Sequence, residues 1–280
     1  MMELPEFHVV AKQIDETLAG KEIERVVANF TPRKWAWFNG DPAGYNGRLS
    51  GKTIGGAVGR DSHIDISIDS TCLSITPPLR YHEDGKDGPN KHQLLLEFTD
   101  GSVASSAIQM WGSYYLYEGV EKPAGDHPGD MDELRRNDWK PSPLTEDFTR
   151  TYFENMVNDE ESQKTSVKGL LATKQRIPGV GNGVIQDILW KARLHPRRPV
   201  AELASEEVDA LYGALKGILR DMTEQGGRDT ERDLFWKYGD YNTILSKNTV
   251  DDPCPSCGGK IERKSYLGGN VYFCSNCQKL

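Results

Sequence analysis

CPSCGGKIERKSYLGGNVYFCSNCQKL, residues 254–280, places Cys254, Cys257, Cys274 and Cys277 as two Cys-x2-Cys pairs with sixteen residues between them. Four thiolates at that spacing fit one tetrahedral Zn2+, and a site with four protein ligands leaves no open position, so the metal is expected to be structural. Within the insert, 260–266 and 270–273 read as two short strands about a Gly268-Gly269 turn. Each cysteine pair then stands at the open end of a β-hairpin, which needs its metal to fold. The alternative, a pair of disulfides, belongs to an oxidising compartment. The first residues do not read as a targeting segment and no apolar run approaches a membrane span, so the expected location is cytoplasmic.

Working back from the hairpin, 280 residues suit about two domains, each with its own core. Cys72, the fifth cysteine, falls in an apparent strand and suits a small buried apolar position. The net charge of −8 speaks against nucleic-acid binding until it is divided along the chain. Residues 1–160 carry 16 basic and 27 acidic side chains, whereas 161–280 carry 18 and 15. Between Lys164 and Arg198 stand eight basic residues and one acid, Asp187. Such a run is either a solvated helix face or a phosphate-binding stripe. Inside it, Ile177-Pro-Gly-Val-Gly-Asn182 is a tight turn feeding a helix, where glycines let a phosphate approach backbone N–H groups; a plain helical hairpin is the other reading.

At the other end, Leu4, Phe7, Val10, Ile14 and Leu18 recur at steps of three and four, one face of a helix over 4–18, with Pro5 in its first turn and Gly20 beyond its end. Short β-rich runs follow at 22–30, 64–68, 71–76, 93–98, 102–106 and 114–117, with hairpin turns at Asp69-Ser70 and Asp100-Gly101 and a polar loop over 77–90. They predict an antiparallel sandwich or barrel. A Pro-, Gly- and Asp-rich stretch over 119–143 reads as a linker, and helices follow over about 146–157, 160–171, 183–192 and 205–225. The fold class is α+β: a helix and β-sandwich over 1–120, a linker over 121–145, a helical domain over 146–250 and the zinc finger over 251–280.

Glu3-Leu-Pro-Glu6, Ile177-Pro-Gly-Val-Gly-Asn182 leading to Leu194-His-Pro-Arg-Arg-Pro199, Gly226-Gly-Arg228, and the four cysteines with Gln278 together resemble the formamidopyrimidine-DNA glycosylase and endonuclease VIII family of base-excision repair enzymes. The resemblance spans essentially the whole chain. It implies a helix-two-turns-helix element in the helical domain and a monomer, bound to the nucleoid and not to a membrane, that holds damaged or abasic duplex DNA between its domains. It also implies attack by an N-terminal amine on the sugar carbon bearing the damaged base, a Schiff base, and strand cleavage by elimination, with a neighbouring carboxylate as acid and base. Met2 and Glu3 stand at those two positions. An α-amine suits the task because its reference pKa of about 8 leaves roughly a tenth of it unprotonated at pH 7.

For DNA binding, the resemblance matches Lys168 and Asn182 to the family's contacting lysine and asparagine. It also sets Gln109, Met110 and Trp111 in the stretch that fills the gap left by a flipped nucleotide, where Met110 or Trp111 is either an apolar wedge or core. The chain departs from the family's pattern at several of its functional positions. Met2 replaces proline, and while Met1 remains attached the Met2 nitrogen is an amide. Ser62 replaces the β-hairpin lysine, with Arg60 nearby, and Gly269 replaces the zinc-hairpin arginine, with Asn270 beside it. Gln109 replaces an arginine. Two functions follow, an active glycosylase with abasic-site lyase activity or a catalytically silent binder of damaged DNA, with an RNA or protein-interaction module as a third.

Overall fold

The computed structural model describes residues 1–85, 90–119 and 140–280; most of the expected linker and part of the 77–90 loop lie outside them. The chain forms two compact units, one of Met1–Arg135 with Gly226–Asp240, the other of Arg136–Gln225 with Tyr241–Leu280. The sequence-based boundaries assign 226–240 to the helical domain, but this segment packs into the first unit, where Leu234 is fully buried in the core.

In the first unit, α1 (Leu4–Leu18) buries the expected face: Leu4, Phe7, Val10, Ile14 and Leu18 are at most 5 % exposed. A four-stranded sheet has the order β1 (Ile23–Ala28), β7 (Leu94–Phe98), β8 (Val103–Ser106), β6 (Leu79–His82). A five-stranded sheet has the order β2 (Ala36–Phe38), β9 (Gly112–Glu118), β5 (Thr71–Ile75), β4 (His63–Ile68), β3 (Ile54–Arg60). Their apolar residues share one core with α1 and α2 (Tyr45–Leu49).

Sequence patterning misses β2, β3 and β6. Strand β3 reads Ile-Gly-Gly-Ala-Val-Gly-Arg, too rich in glycine to signal a strand. Two of its three glycines, Gly56 and Gly59, face α1: a Cβ at Gly59 would stand 2.8 Å from the Cα of His8, so only a bare backbone lets the helix lie this close. The carboxylate of Asp15 on α1 also accepts a hydrogen bond from Ala57 N–H of β3, at 3.2 Å. Strand β6 falls inside the expected polar loop because three of its four residues carry polar groups: Arg80 and Tyr81 are partly exposed, and His82 is buried with its Nε2 on Ser105 Oγ at 3.0 Å. The pairing of β2 with β9 is parallel, an exception to the expected antiparallel pattern.

The second unit holds α3 (Arg150–Asn158), α4 (Glu160–Gln163), α5 (Val167–Ala172), α6 (Ile185–Lys191), α7 (Ser205–Glu224) and the hairpin β10 (Ile261–Tyr266) and β11 (Gly269–Cys274). The single helix expected over 160–171 is split, because Ser166 accepts from Gly169 N–H at 3.2 Å and so starts a new helix. Asp187, the one acid in the basic run, is buried and accepts from Tyr241 Oη and from the N–H groups of Ile244 and Leu245, at 2.7–3.1 Å. It anchors the chain where it returns from the first unit. Among the described residues, no helix is long and apolar enough to cross a membrane.

Candidate functional site

The four cysteine sulfurs lie within 4.8 Å of one another. Cys254 and Cys277 are 3.8 Å apart, Cys257 and Cys274 3.5 Å. A tetrahedral ion with Zn–S bonds of about 2.3 Å requires S···S edges of about 3.8 Å, so the thiol cage already has the size of a zinc site. Donors surround it: Trp190 Nε1–H points to Cys254 Sγ and Gly259 N–H to Cys257 Sγ, each at 3.4 Å. Such outer contacts steady thiolate charge around a metal. When bound, the ion ties the two ends of the hairpin together.

The hairpin turn is Leu267-Gly268, one residue earlier than expected, since Tyr266 pairs with Gly269. Leu267 has φ 44° and Gly268 φ 73°, both positive, as a two-residue type I′ turn requires. Gly269 is therefore the first residue of β11. It packs against Asn182, whose Oδ1 would lie 3.2 Å from an added Cβ.

The helical body grips the hairpin by its backbone. Lys168 is 2 % exposed and its Nζ donates to the Tyr266 carbonyl; burial holds its pKa below the ordinary lysine value. Asn182 Nδ2 donates to the Asn270 carbonyl at 2.9 Å, and Gln186 Nε2 to the same oxygen at 3.2 Å. Gln186 Oε1 accepts from Tyr272 N–H at 3.0 Å. At the far end Gln278, fully buried, accepts from Cys274 N–H and donates to the Leu194 carbonyl, both at 2.9 Å. Lys168 and Asn182, matched above to DNA contacts, are thus also clamps on the zinc hairpin, and Gln186 is a third that the sequence motifs do not mark. In the basic run, Lys164 pairs with Glu160, Lys174 and Arg176 with Glu161, and Arg198 with Glu202 and Glu207. Half of the expected cationic stripe is therefore matched by acids at its borders.

In the first unit, the start of α1 is fixed by charge. Glu6 is 3 % exposed and accepts from Glu3 N–H at 3.0 Å, from Arg228 Nε at 2.9 Å and from Arg228 Nη2 at 2.7 Å. Burial works to raise the Glu6 pKa, but the Arg228 guanidinium outweighs it and holds the carboxyl below its ordinary value. Glu3 is 8 % exposed, with its carboxylate 3.4 Å from Arg228. The amino group of Met1 pairs with Glu231 at 2.6 Å, while the Met2 side chain, 5 % exposed, joins the core. The motifs Glu3-Leu-Pro-Glu6 and Gly226-Gly-Arg228 hint at this cluster; nothing in the sequence points to Glu231.

Arg60 ends β3 and pairs with Asp65 at 3.2 Å; the adjacent Asp61, at φ 33°, meets His8 Nε2 on α1 at 2.6 Å. Gln109, Met110 and Trp111 lie in the loop between β8 and β9, and all three are exposed. Met110 at 63 % and Trp111 at 42 % exclude the core reading for these side chains. Asn270, half-buried, offers its carbonyl to the clamps described above.

The architecture is a sandwich with a pinned leading helix, a helical body and a four-cysteine hairpin that could hold a metal ion. Residues 140–233 match the formamidopyrimidine-DNA glycosylase H2TH domain. Over their full lengths, the chain is 26 % identical to formamidopyrimidine-DNA glycosylase of Bacillus licheniformis and 28 % identical to that of Neisseria meningitidis. The Lactococcus lactis enzyme in complex with DNA containing an abasic site superposes with a TM-score of 0.80 at 21 % identity, covering 99 % of this chain and all of the other. The Thermus thermophilus protein gives 0.79 at 22 %, covering 99 % and 98 %. The chain is thus similar over its full length to formamidopyrimidine-DNA glycosylases and shares their fold.

Proposed function

We propose that the protein binds damaged or abasic duplex DNA and removes a damaged base through an amine at the start of the chain, cutting the strand by elimination. Glu3 is the acid–base group beside that amine. Arg60, Gln109, Met110, Trp111 and Asn270 meet the DNA, and Lys168 and Asn182 serve it by holding the hairpin. The observation that carries this reading is the pinned first turn of α1, where Glu3, Glu6 and Arg228 form a buried charge cluster. Amine chemistry needs a fixed chain start, and most chain ends fray. The DNA in the Lactococcus lactis complexes, abasic in one and Fapy-dG in another, supports the substrate class.

One observation favours a second reading, a binder without catalysis. With Met1 attached, the Met2 nitrogen is a peptide nitrogen and the Met2 side chain is locked in the core. The mass of the intact protein tells whether Met2 has a free amine. Borohydride reduction on abasic duplex then separates the readings: a covalent adduct is expected, reduced at least about 100-fold in Glu3→Gln. Tight binding with no adduct would leave the binder alone.

A further inference from the structure

Strand β2 is an edge of the five-stranded sheet, and the loop over 107–111 leads directly into its partner β9. The parallel pairing brings Trp35, Trp37 and Trp111 into a row, with ring centroids 6.0 Å and 6.2 Å apart. The three indoles are 51 %, 40 % and 42 % exposed, and Met110 beside Trp111 is 63 % exposed. Their interplanar angles, 68° and 50°, show that no ring is stacked face to face on its neighbour. Leaving three large apolar side chains together in water has no folding benefit, and such a patch marks a contact surface.

The local charge indicates what the surface contacts. Lys34 Nζ stands 4.9 Å from the Trp35 ring centroid, Arg33 is exposed next to it, and neither 30–38 nor 107–112 contains an acid. This is a cationic, aromatic island in the part of the chain where acids outnumber bases 27 to 16. Exposed flat rings interleaved with cations hold single-stranded nucleic acid, the rings taking bases and the cations the backbone. A twofold contact with a second copy would instead bring Arg33 and Lys34 into one patch with their own counterparts, like charge beside like.

We infer that the Trp35–Trp37–Trp111 row is a stacking platform for unpaired bases, so that the protein prefers DNA with a short single-stranded stretch over a continuous duplex. This rests on the DNA-binding reading above. The test compares a duplex carrying a three-nucleotide gap with a continuous duplex of the same sequence, using the wild type, the Trp35→Ala/Trp37→Ala variant and the Trp35→Phe/Trp37→Phe variant. Loss of stacked bases is expected to weaken the alanine variant about tenfold or more on gapped DNA and less than about twofold on continuous duplex, while the phenylalanine variant stays within about threefold of wild type on both. Wild-type binding to both DNAs with no selective loss in the alanine variant overturns the platform and leaves the DNA-binding reading standing. Binding to neither DNA overturns both. Self-association of the wild type that the alanine variant abolishes, seen by sedimentation without a change in DNA affinity, assigns the row to a second copy and overturns the inference.

Discussion

The zinc hairpin and the first turn of α1 are both closed by small sets of charged or metal-binding side chains, but the sets are assembled differently. The hairpin's four cysteines lie within twenty-four residues of one another, at spacings that the metal itself dictates. The α1 cluster depends on Arg228 reaching Glu6 across 222 residues. Local spacing announces the first site; the second exists only because 226–240 packs into the first unit. The hairpin keeps its four cysteines, while Gly269, which the resemblance sets at an arginine position, lies in β11 one residue past the turn. The α1 cluster keeps its carboxylates, while the resemblance sets Met2 where the family has proline.

The largest expected effect bears on the hairpin. Cys254→Ala removes a ligand from a site whose binding free energy is on the order of 10 kcal/mol, so zinc content should fall to nearly zero and the hairpin should lose its amide protection in hydrogen exchange. Retention of metal and protection would mean that the cage closes without Cys254. In the first unit, Arg228→Met leaves Glu6 buried without its cation, and equilibrium unfolding at pH 7 should show a loss of about 3–5 kcal/mol.

The same pair predicts a pH response. The Glu6 carboxyl is held below its ordinary value in the folded state, so its contribution is complete above the unfolded pKa of about 4.3 and is lost as pH falls through the folded value. The gap between wild type and Arg228→Met should therefore narrow on acidification from pH 7 to pH 3. A gap independent of pH would show that Arg228 stabilises by packing alone. The smallest effect returns to the hairpin: Leu267 holds φ 44°, a region that costs L-residues roughly 1–2 kcal/mol and asparagine less, so Leu267→Asn should raise stability by up to about 1 kcal/mol. A lower melting temperature would mean that the Leu267 side chain, half exposed, makes a contact that outweighs the turn preference.

What could be read in advance followed the range of the interactions. Helix α1 was legible to the residue because one face of it repeats Leu4, Phe7, Val10, Ile14 and Leu18. The clustering of the four cysteines was legible because metal geometry fixes cysteine spacing. Strand β3 was not, since Gly56 and Gly59 answer to a helix that precedes it in the chain by some forty residues and carry no strand signal of their own. The hairpin turn was misplaced by one residue because Gly268-Gly269 is the stronger local signal, whereas the pairing of Tyr266 with Gly269 sets the actual register. The hold of Lys168 and Asn182 on the hairpin was not legible, because only the fold brings the carbonyls of Tyr266 and Asn270 to them.

Strand β3 also bears on how the first unit assembles. With glycine at three of its seven positions, it has few side chains with which to commit itself to a sheet, and pairing with β4 covers only one edge. It is held as a strand by β4 on one edge and by the close approach of α1 at Gly56 and Gly59. The Glu3–Glu6–Arg228 cluster in turn needs a side chain 222 residues further on, so a nascent chain carries the carboxylates long before it carries their cation.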